Sequence, residues 1–331
     1  MSNLLFKIID VLADGKFHSG EILANQFKVS RVSIWNAISE AEQFGIEIHS
    51  VRGKGYKLTH AVELLDESSI KRAIGEQANF FNIEVMDTTT STNSVMMQRA
   101  SEGLPHASCI ATNIQTAGKG RRGRKWVSEL GENLTFSFLW RFNQGAAMLS
   151  GLSLVVGIAL IRTFKQLGIN QALLKWPNDV LIFHEKAYKK LAGILIELQG
   201  DMDGQSLAVI GIGINLNISK KQIKKIDQPA IDLQTITQES MNPNNLIALI
   251  IKELARVLSE FELNGFSSLK EEWVMSHAFH EKVISLTKGD GQNVIGKVID
   301  ISDEGSLILQ TNKGQQNFSS GEVVLNKDWN N

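Results

Sequence analysis

Cysteine occurs once in this chain of 331 residues, proline four times and tyrosine twice, and there is almost no excess of either charge. A single thiol excludes an intramolecular disulfide framework and fits a reducing cytosol, so the expected location is cytoplasmic. Cys109 stands in the apolar run Ser108-Cys109-Ile110-Ala111, which predicts a buried structural thiol rather than a nucleophile. The net charge of -1 excludes bulk attraction to nucleic acid and leaves a local patch as the only route to such contact. The apolar run from Leu149 to Ile161 is too short, and too punctuated by Gly and Ser, to span a bilayer. No basic leader followed by a long apolar core opens the sequence, so neither a signal peptide nor a membrane role is expected. With 43% hydrophobic and 21% charged residues, the composition is that of a globular protein, and the length suggests two or three domains.

What is present is a cationic segment, Ala117-Gly118-Lys119-Gly120-Arg121-Arg122-Gly123-Arg124-Lys125-Trp126, set between the apolar runs 108–114 and 134–140. Glycine lets a backbone approach a ligand closely, and clustered cations make that backbone a receptor for anions. A mobile loop between two strands is expected. Gly118, Gly120 and Gly123 fit the dinucleotide fingerprint, but no apolar helix follows them. The phosphate-loop pattern fails as well, because Arg124 and Lys125 stand where Lys then Ser or Thr is needed. A solvated basic loop without a ligand remains the plain alternative.

Three domains are expected, over residues 1–62, 63–279 and 280–331. In the first, Leu4, Leu5, Ile8, Ile9 and Leu12 recur at helical spacing. Ser19 can cap a second helix that turns Ile22, Leu23 and Phe27 inward. A third helix, from Arg31 to about Phe44, would bury Val32, Ile34, Ala37, Ile38 and Ala41. This predicts a helix-turn-helix over residues 20–39, from Gly20 to Ser39, with Arg31, Ser33 and Asn36 facing DNA. The hairpin that follows is a wing, with Arg52, Lys54 and Lys57 as phosphate contacts. Trp35, Glu40 and Glu42 argue the other way, and a winged helix used only for protein contacts stays open. His18 has no metal-ligand partner at a sensible spacing and reads as a surface or capping residue.

In the central region, Asp66 can cap a helix, and Ser91, Thr92 and Asn93 stand at a strand-to-helix corner. Helix capping and binding of a polar ligand head are both open there. Lys175-Trp176-Pro177-Asn178-Asp179 joins two strands, and turn chemistry does not explain the lysine and tryptophan. Lys190 opens another strand, and Gly193, Gly211 and Gly213 imply a sheet face that a ligand can approach. Residues 219–232 are lysine-rich and read as an irregular loop, and Asn242 caps a long helix. Many strands with helices segregated beside them make the domain α+β. The last region is a run of short strands and turns, a small β-barrel.

Five motifs occur in order: Ser91-Thr92-Asn93; Gln115 with the cationic segment; Lys175-Trp176-Pro177-Asn178-Asp179; Lys190-Leu191-Ala192-Gly193-Ile194-Leu195; and Gly211-Ile212-Gly213-Ile214-Asn215. With them the chain resembles the bacterial bifunctional biotin–protein ligases and biotin operon repressors over nearly its whole length. The resemblance implies a multidomain α+β architecture with three parts. They are an N-terminal winged helix-turn-helix, a central mixed-sheet ligase domain like that of class II aminoacyl-tRNA synthetases, and a C-terminal barrel like Src-homology-3 domains. It also implies a two-step reaction, in which biotin and ATP with Mg2+ give biotinyl-5′-adenylate and the biotinyl group then passes to a lysine of the biotin carboxyl carrier protein.

By the same resemblance, Ser91, Thr92 and Gln115 hold biotin's ureido head, and Asn93, Gly120, Gly193, Gly211 and Gly213 belong to the biotin site beside it. Lys119 and Arg121 close over carboxylate and phosphate, and Lys190 stands between the two. Lys175, Asn178, Asn215 and Trp126 meet the nucleotide, and Asp179 orients Lys175 or touches Mg2+. The adenylate would be corepressor, the partners the carrier protein and the biotin operon's operator DNA, and the adenylate-bound form a homodimer. Two departures stand out. Lys119 replaces the usual Arg, and Pro229-Ala230 stands where a glycine and an aromatic lid are expected. A ligase that no longer represses, a non-catalytic ligand-responsive repressor and a lipoate ligase are the alternatives.

Overall fold

The computed structural model describes residues 3–59, 61–200 and 204–325. Helices α1 (Asn3–Leu12), α2 (Gly20–Phe27) and α3 (Arg31–Ala41) precede a hairpin of β1 (Ile48–Val51) and β2 (Gly55–Leu58). The Ser19 and Ser30 hydroxyls cap α2 and α3 by accepting the Ile22 and Ser33 amides at 3.1 and 3.0 Å. Leu5, Ile8, Ile9, Leu23, Ile34, Ala37, Ile38, Ala41 and Leu58 form this unit's core. Two residues expected inside are outside: Ile22 is 58% and Val32 65% exposed. Both follow from helix geometry. A helix turns about 100° per residue, so with Leu23 and Ile34 inward, Ile22 is rotated off the core and Val32 is on the far side. His18 pairs with Asp14 at 3.1 Å, a surface contact.

The central unit runs α4 (Glu67–Ile74), β3 (Asn82–Thr89), α5 (Thr92–Ser101), β4 (Ser108–Gln115), β5 (Gly118–Lys119), β6 (Lys125–Trp126), β7 (Asn133–Phe142), α6 (Leu152–Gln166), β8 (Ala172–Lys175), β9 (Asp179–His184), β10 (Ala187–Gly200), β11 (Ser206–Asn215), α7 (Lys220–Ile223), α8 (Leu233–Thr237), α9 (Pro243–Asn264) and α10 (Lys270–Met275). Seven strands pair in the order β3-β4-β7-β11-β10-β9-β8, with β3 parallel to β4 and the other pairs antiparallel. Alternation sorts the side chains to two faces. Cys109, Phe138, Trp140, Ala208 and Ile210 pack into the large core with α6 and α9, while Ile110, Leu139, Leu207 and Val209 meet Met96 and Ala100 of α5. The second face therefore carries the odd positions of β7, β10 and β11. Its cross-strand rows are Thr135–Gly213–Gly193 and Ser137–Gly211–Leu195.

Two loops differ from expectation. The cationic segment is a hairpin, because β5 pairs with β6, and the lysine-rich segment holds the one-turn helix α7 under a Ser19-like cap from Ser219.

β12 (Val283–Thr287), β13 (Asn293–Ile301), β14 (Leu307–Thr311), β15 (Gly314–Phe318) and β16 (Glu322–Leu325) form a five-stranded antiparallel sheet. Its interior is continuous with the central core. Trp176, 1% exposed, donates its indole Nε1–H to the Gly305 carbonyl at 3.1 Å, and Ser150 bonds the Glu304 carbonyl. Trp176→Ala is expected to lower unfolding stability by about 3–5 kcal/mol, whereas Trp176→Phe, which loses chiefly the hydrogen bond, costs about 1 kcal/mol. Urea melts of the two variants check the difference.

Candidate active site

The site lies on the α5 face of the sheet. Ser91 occupies the N-cap position of α5, but its side chain makes no capping bond, and Thr92 is already inside the helix. Capping therefore does not account for these hydroxyls. Ser91, Thr92 and Asn93 are 2–3% exposed and line a cavity above the glycine rows. Gln115, at the end of β4, accepts the Thr92 backbone N–H at 2.8 Å. Asn93 lies over Gly211, in the space that a Cβ would need. Its amide donates to the Leu195 carbonyl at 3.3 Å and to Glu197 at 2.8 Å.

The cationic hairpin folds over the same cavity. Arg122 at its tip has φ 54, and Gly118 sits so close to the Trp126 carbonyl that a side chain would clash. The hairpin's cations diverge. Arg121 turns inward and donates to Asn178 Oδ1 at 3.2 Å, whereas Arg122 and Arg124 pair with Glu322 on β16. Lys119 and Gly120 line the cavity, and Lys119 stays exposed. The Trp126 indole covers Gly213 and Gly193, its Cζ3 lying 3.4 Å from where a Gly193 Cβ would be. The bare sheet face expected at these glycines is thus partly filled by protein, by Trp126 at Gly213 and by Asn93 at Gly211.

Lys190 sits where β10 shifts register against β9. Its Nζ is 2.6 Å from Asp179 Oδ1 and 5.8 Å from the centre of the Trp126 ring. Asp179 Oδ1 is buried and makes no hydrogen bond, so charge holds the pair. Lys190 borders three adjoining cavities: the one above, a second with Lys175, Asn178, Asp179 and Trp126, and a third with Asn215, Trp126 and Ala230. Burial first, and repulsion from Lys190 and Arg124, hold Lys175 below the ordinary lysine range against the opposing pull of Asp179. Burial, then Arg122, also lowers Arg121.

Asn215 lines the third cavity, but its amide is occupied. It donates to the Lys190 and Ile231 carbonyls at 3.2 and 3.0 Å, and its Oδ1 accepts from Asn133. It braces the chain around Ala230 against Lys190. The residues expected to face DNA lie elsewhere, on the N-terminal unit. Arg31, Asn36, Ser39, Arg52 and Lys54 are exposed, Lys57 is half-buried, and Ser33 Oγ is tied to the Ser30 hydroxyl at 2.9 Å. Trp35 is 59% exposed beside them. Among the described residues, no group of three or more His, Cys, Asp or Glu is arranged to hold a metal.

Residues 85–217 match the biotin/lipoate A/B protein ligase family, residues 4–57 a helix-turn-helix domain, and residues 280–326 the biotin protein ligase C-terminal domain. The bifunctional ligase/repressor BirA of Salmonella typhimurium is 36% identical over 318 residues, 96% of each chain. The chain belongs to this family of bifunctional biotin ligases and repressors. BirA of Bacillus subtilis is 28% identical over 95% of each chain. The Aquifex aeolicus biotin protein ligase solved with biotin and ATP superposes with TM-score 0.61 at 26% identity, covering 74% of this chain and 98% of that one.

In this ligase the sequence motifs missed the supporting residues Ser137, Glu197, Asn133, Gln222 and Glu322. Ser137 and Glu197 share the period-two face of the predicted glycines, which was the available signal. Glu322 lies far along the chain and gave none.

Gly213→Ala should displace the Trp126 indole and raise the KM for ATP at least about tenfold with the fold retained, read by steady-state kinetics and circular dichroism. Lys175→Met should separate binding from stability. The unfolded chain holds the Lys175 proton more tightly than the folded one. Its cost to the fold is therefore complete below the folded pKa, shrinks as pH rises, and is gone above the ordinary lysine value of 10.5. The variant should melt a few degrees higher at pH 7, lose that gain at high pH, and bind ATP about tenfold more weakly.

Proposed function

We propose that the first cavity takes biotin, the second takes ATP, and Lys190 serves both. This ligase then makes biotinyl-5′-adenylate. A biotin carboxylate oxygen attacks the α-phosphorus of ATP, and the bond to the β-phosphate breaks with release of pyrophosphate. In the second step the amine of a carrier-protein lysine attacks the acyl carbon and AMP leaves. No protein nucleophile is required. Two anions have to be held together, and position and charge supply most of the rate.

The ureido head is assigned to the buried polar end, against Ser91, Thr92 and Gln115, and the valeryl chain to the glycine rows. Arg121 and Lys119 neutralise carboxylate and phosphate from above, and Lys190 stabilises the charge that develops between them. Asn178 holds Arg121, and Trp126 with Lys175 packs the nucleotide. Asp179 offers one half-buried carboxylate, already ion-paired with Lys190, a donor set that fits Mg2+ only as a single protein ligand to an ion held mainly by phosphate oxygens. When bound, Mg2+ would neutralise triphosphate charge. The observation that carries this reading is the position of Lys190, on the border of both cavities and paired with Asp179.

The physiological acceptor is assigned as the biotin carboxyl carrier protein, the compartment as the cytoplasm, and the repressing form as an adenylate-bound homodimer on operator DNA. A ligase without repression is the second reading. It is favoured by the exposed Val32 and Trp35, which place apolar surface where polar base contacts are usual.

Incubation with biotin, ATP and a carrier domain should add one biotinyl group by mass spectrometry. Lys190→Ala should cut biotin-dependent pyrophosphate release by about 100-fold or more while the melting temperature stays within a few degrees. Release at the wild-type rate overturns the assignment. A footprint upstream of the chain's own biotin operon, dependent on biotin and ATP, separates the two regulatory readings.

A further inference from the structure

Behind the polar end of the first cavity lies a chain of hydrogen bonds that uses more groups than ligand contact requires. Ser137 is fully buried on β7, directly opposite Gly211. Its Oγ lies 2.6 Å from Asn93 Oδ1 and 2.7 Å from Thr92 Oγ1. Asn93 Nδ2 faces the Leu195 carbonyl and Glu197. A carbonyl can only accept, so Nδ2 is the donor there and Oδ1 is the atom turned to Ser137. An amide oxygen has no proton, so the Ser137 hydroxyl must donate to it. A serine has one proton. Thr92 Oγ1 has two neighbouring oxygens, Ser137 Oγ at 2.7 Å and Gln115 Oε1 at 3.2 Å. With the Ser137 proton given to Asn93, the shorter contact needs a proton and only the Thr92 hydroxyl can supply it, which leaves the longer approach to Gln115 without one.

Thr92 has then spent its only proton inward, and the remaining lone pair of its Oγ1 faces the cavity. Gln115 is fixed by the same logic. Its Oε1 accepts the Thr92 backbone N–H, which leaves Nε2 as a donor beside it. The wall presents an acceptor next to a donor, the complement of an N–H next to a C=O on one edge of a cyclic urea.

We propose that Ser137 and Asn93 are positioning residues that lock the Thr92 hydroxyl as an acceptor and so select a ligand with a ring N–H at that point. The proposal rests on the assignment of the ureido head to this end of the cavity. Glu197 contributes by holding Asn93, with the Leu195 carbonyl sharing the task. Gly211 is required because Asn93 lies across it.

The test uses the full-length ligase and biotin-dependent pyrophosphate release. Biotin is compared with two cyclic-carbamate analogues, in which one or the other ureido N–H is replaced by a ring oxygen. Wild type should reject one of the two by about 100-fold in kcat/KM, because that ring oxygen would face a lone pair with no proton between them. In Ser137→Ala the Thr92 hydroxyl loses its short-range acceptor and keeps only Gln115 Oε1 at 3.2 Å, so it can turn and donate to the ligand, and the discrimination should fall to about tenfold or less, in KM rather than kcat. Asn93→Leu, which removes the acceptor for Ser137, should relax it likewise. Ser137→Cys, which keeps a weaker donor, should be intermediate. Undiminished rejection by Ser137→Ala and Asn93→Leu, each checked for fold by its melting curve, overturns the locking role. Failure of wild type to reject either analogue overturns instead the placement of the ureido ring against Thr92.

Discussion

One ammonium group, that of Lys190, is held between a carboxylate and an indole on the floor of a cleft. Asp179 lies within ion-pairing distance and the Trp126 ring covers the other side. A lysine so placed is a mobile point charge with a fixed counter-ion, able to follow negative charge as it shifts between two bound anions. Other features of the cleft set that position. The register shift in β10 turns Lys190 into the cleft. Asn215 and the Pro229 carbonyl hold its backbone, and Gly193 and Gly213 leave room for the indole. The cationic hairpin closes on this arrangement from above, with Arg121 anchored on Asn178.

Much of this was legible in the chain. Glycines spaced by two in β11 mark a face that something must approach, and the ordered motifs mark which side chains stand around it. The occupants of the glycine gaps could not be read. Nothing local to Gly211 says that Asn93, more than a hundred residues earlier, lies over it, or that Trp126 covers Gly213. Such pairings are set by sheet order, which is a tertiary property. The same limit explains Ile22 and Val32. Hydrophobicity suggested burial, but the face of a short helix is chosen by its neighbours. Asn215 shows the converse, since a residue expected to meet the nucleotide proves to have its amide committed to two backbone carbonyls and to Asn133.

The lysine-rich segment reaches both the cleft and the helix-turn-helix unit. Gln222 of α7 donates to Asn133, Asn133 donates to Asn215, and Asn215 holds the Lys190 carbonyl. Next to Gln222, Lys221 pairs with Glu47 beside the wing at 3.1 Å, and three residues before it Ser219 donates its amide to Glu132. Polar contacts and the short helix α7 thus connect Lys190 to the edge of the helix-turn-helix unit. That edge is otherwise joined to the centre by the apolar contacts of Ile114, Val62 and Leu130.

The C-terminal sheet has a different standing. Its interior merges with that of the ligase domain, Trp176 donates into its Gly305 turn, and its Glu322 takes up two of the hairpin's arginines. The cleft and this sheet therefore pack as one piece. A chimera that exchanged the sheet between relatives would have to carry the tryptophan pocket and the arginine partners with it, or assemble the second cavity with its back open to water.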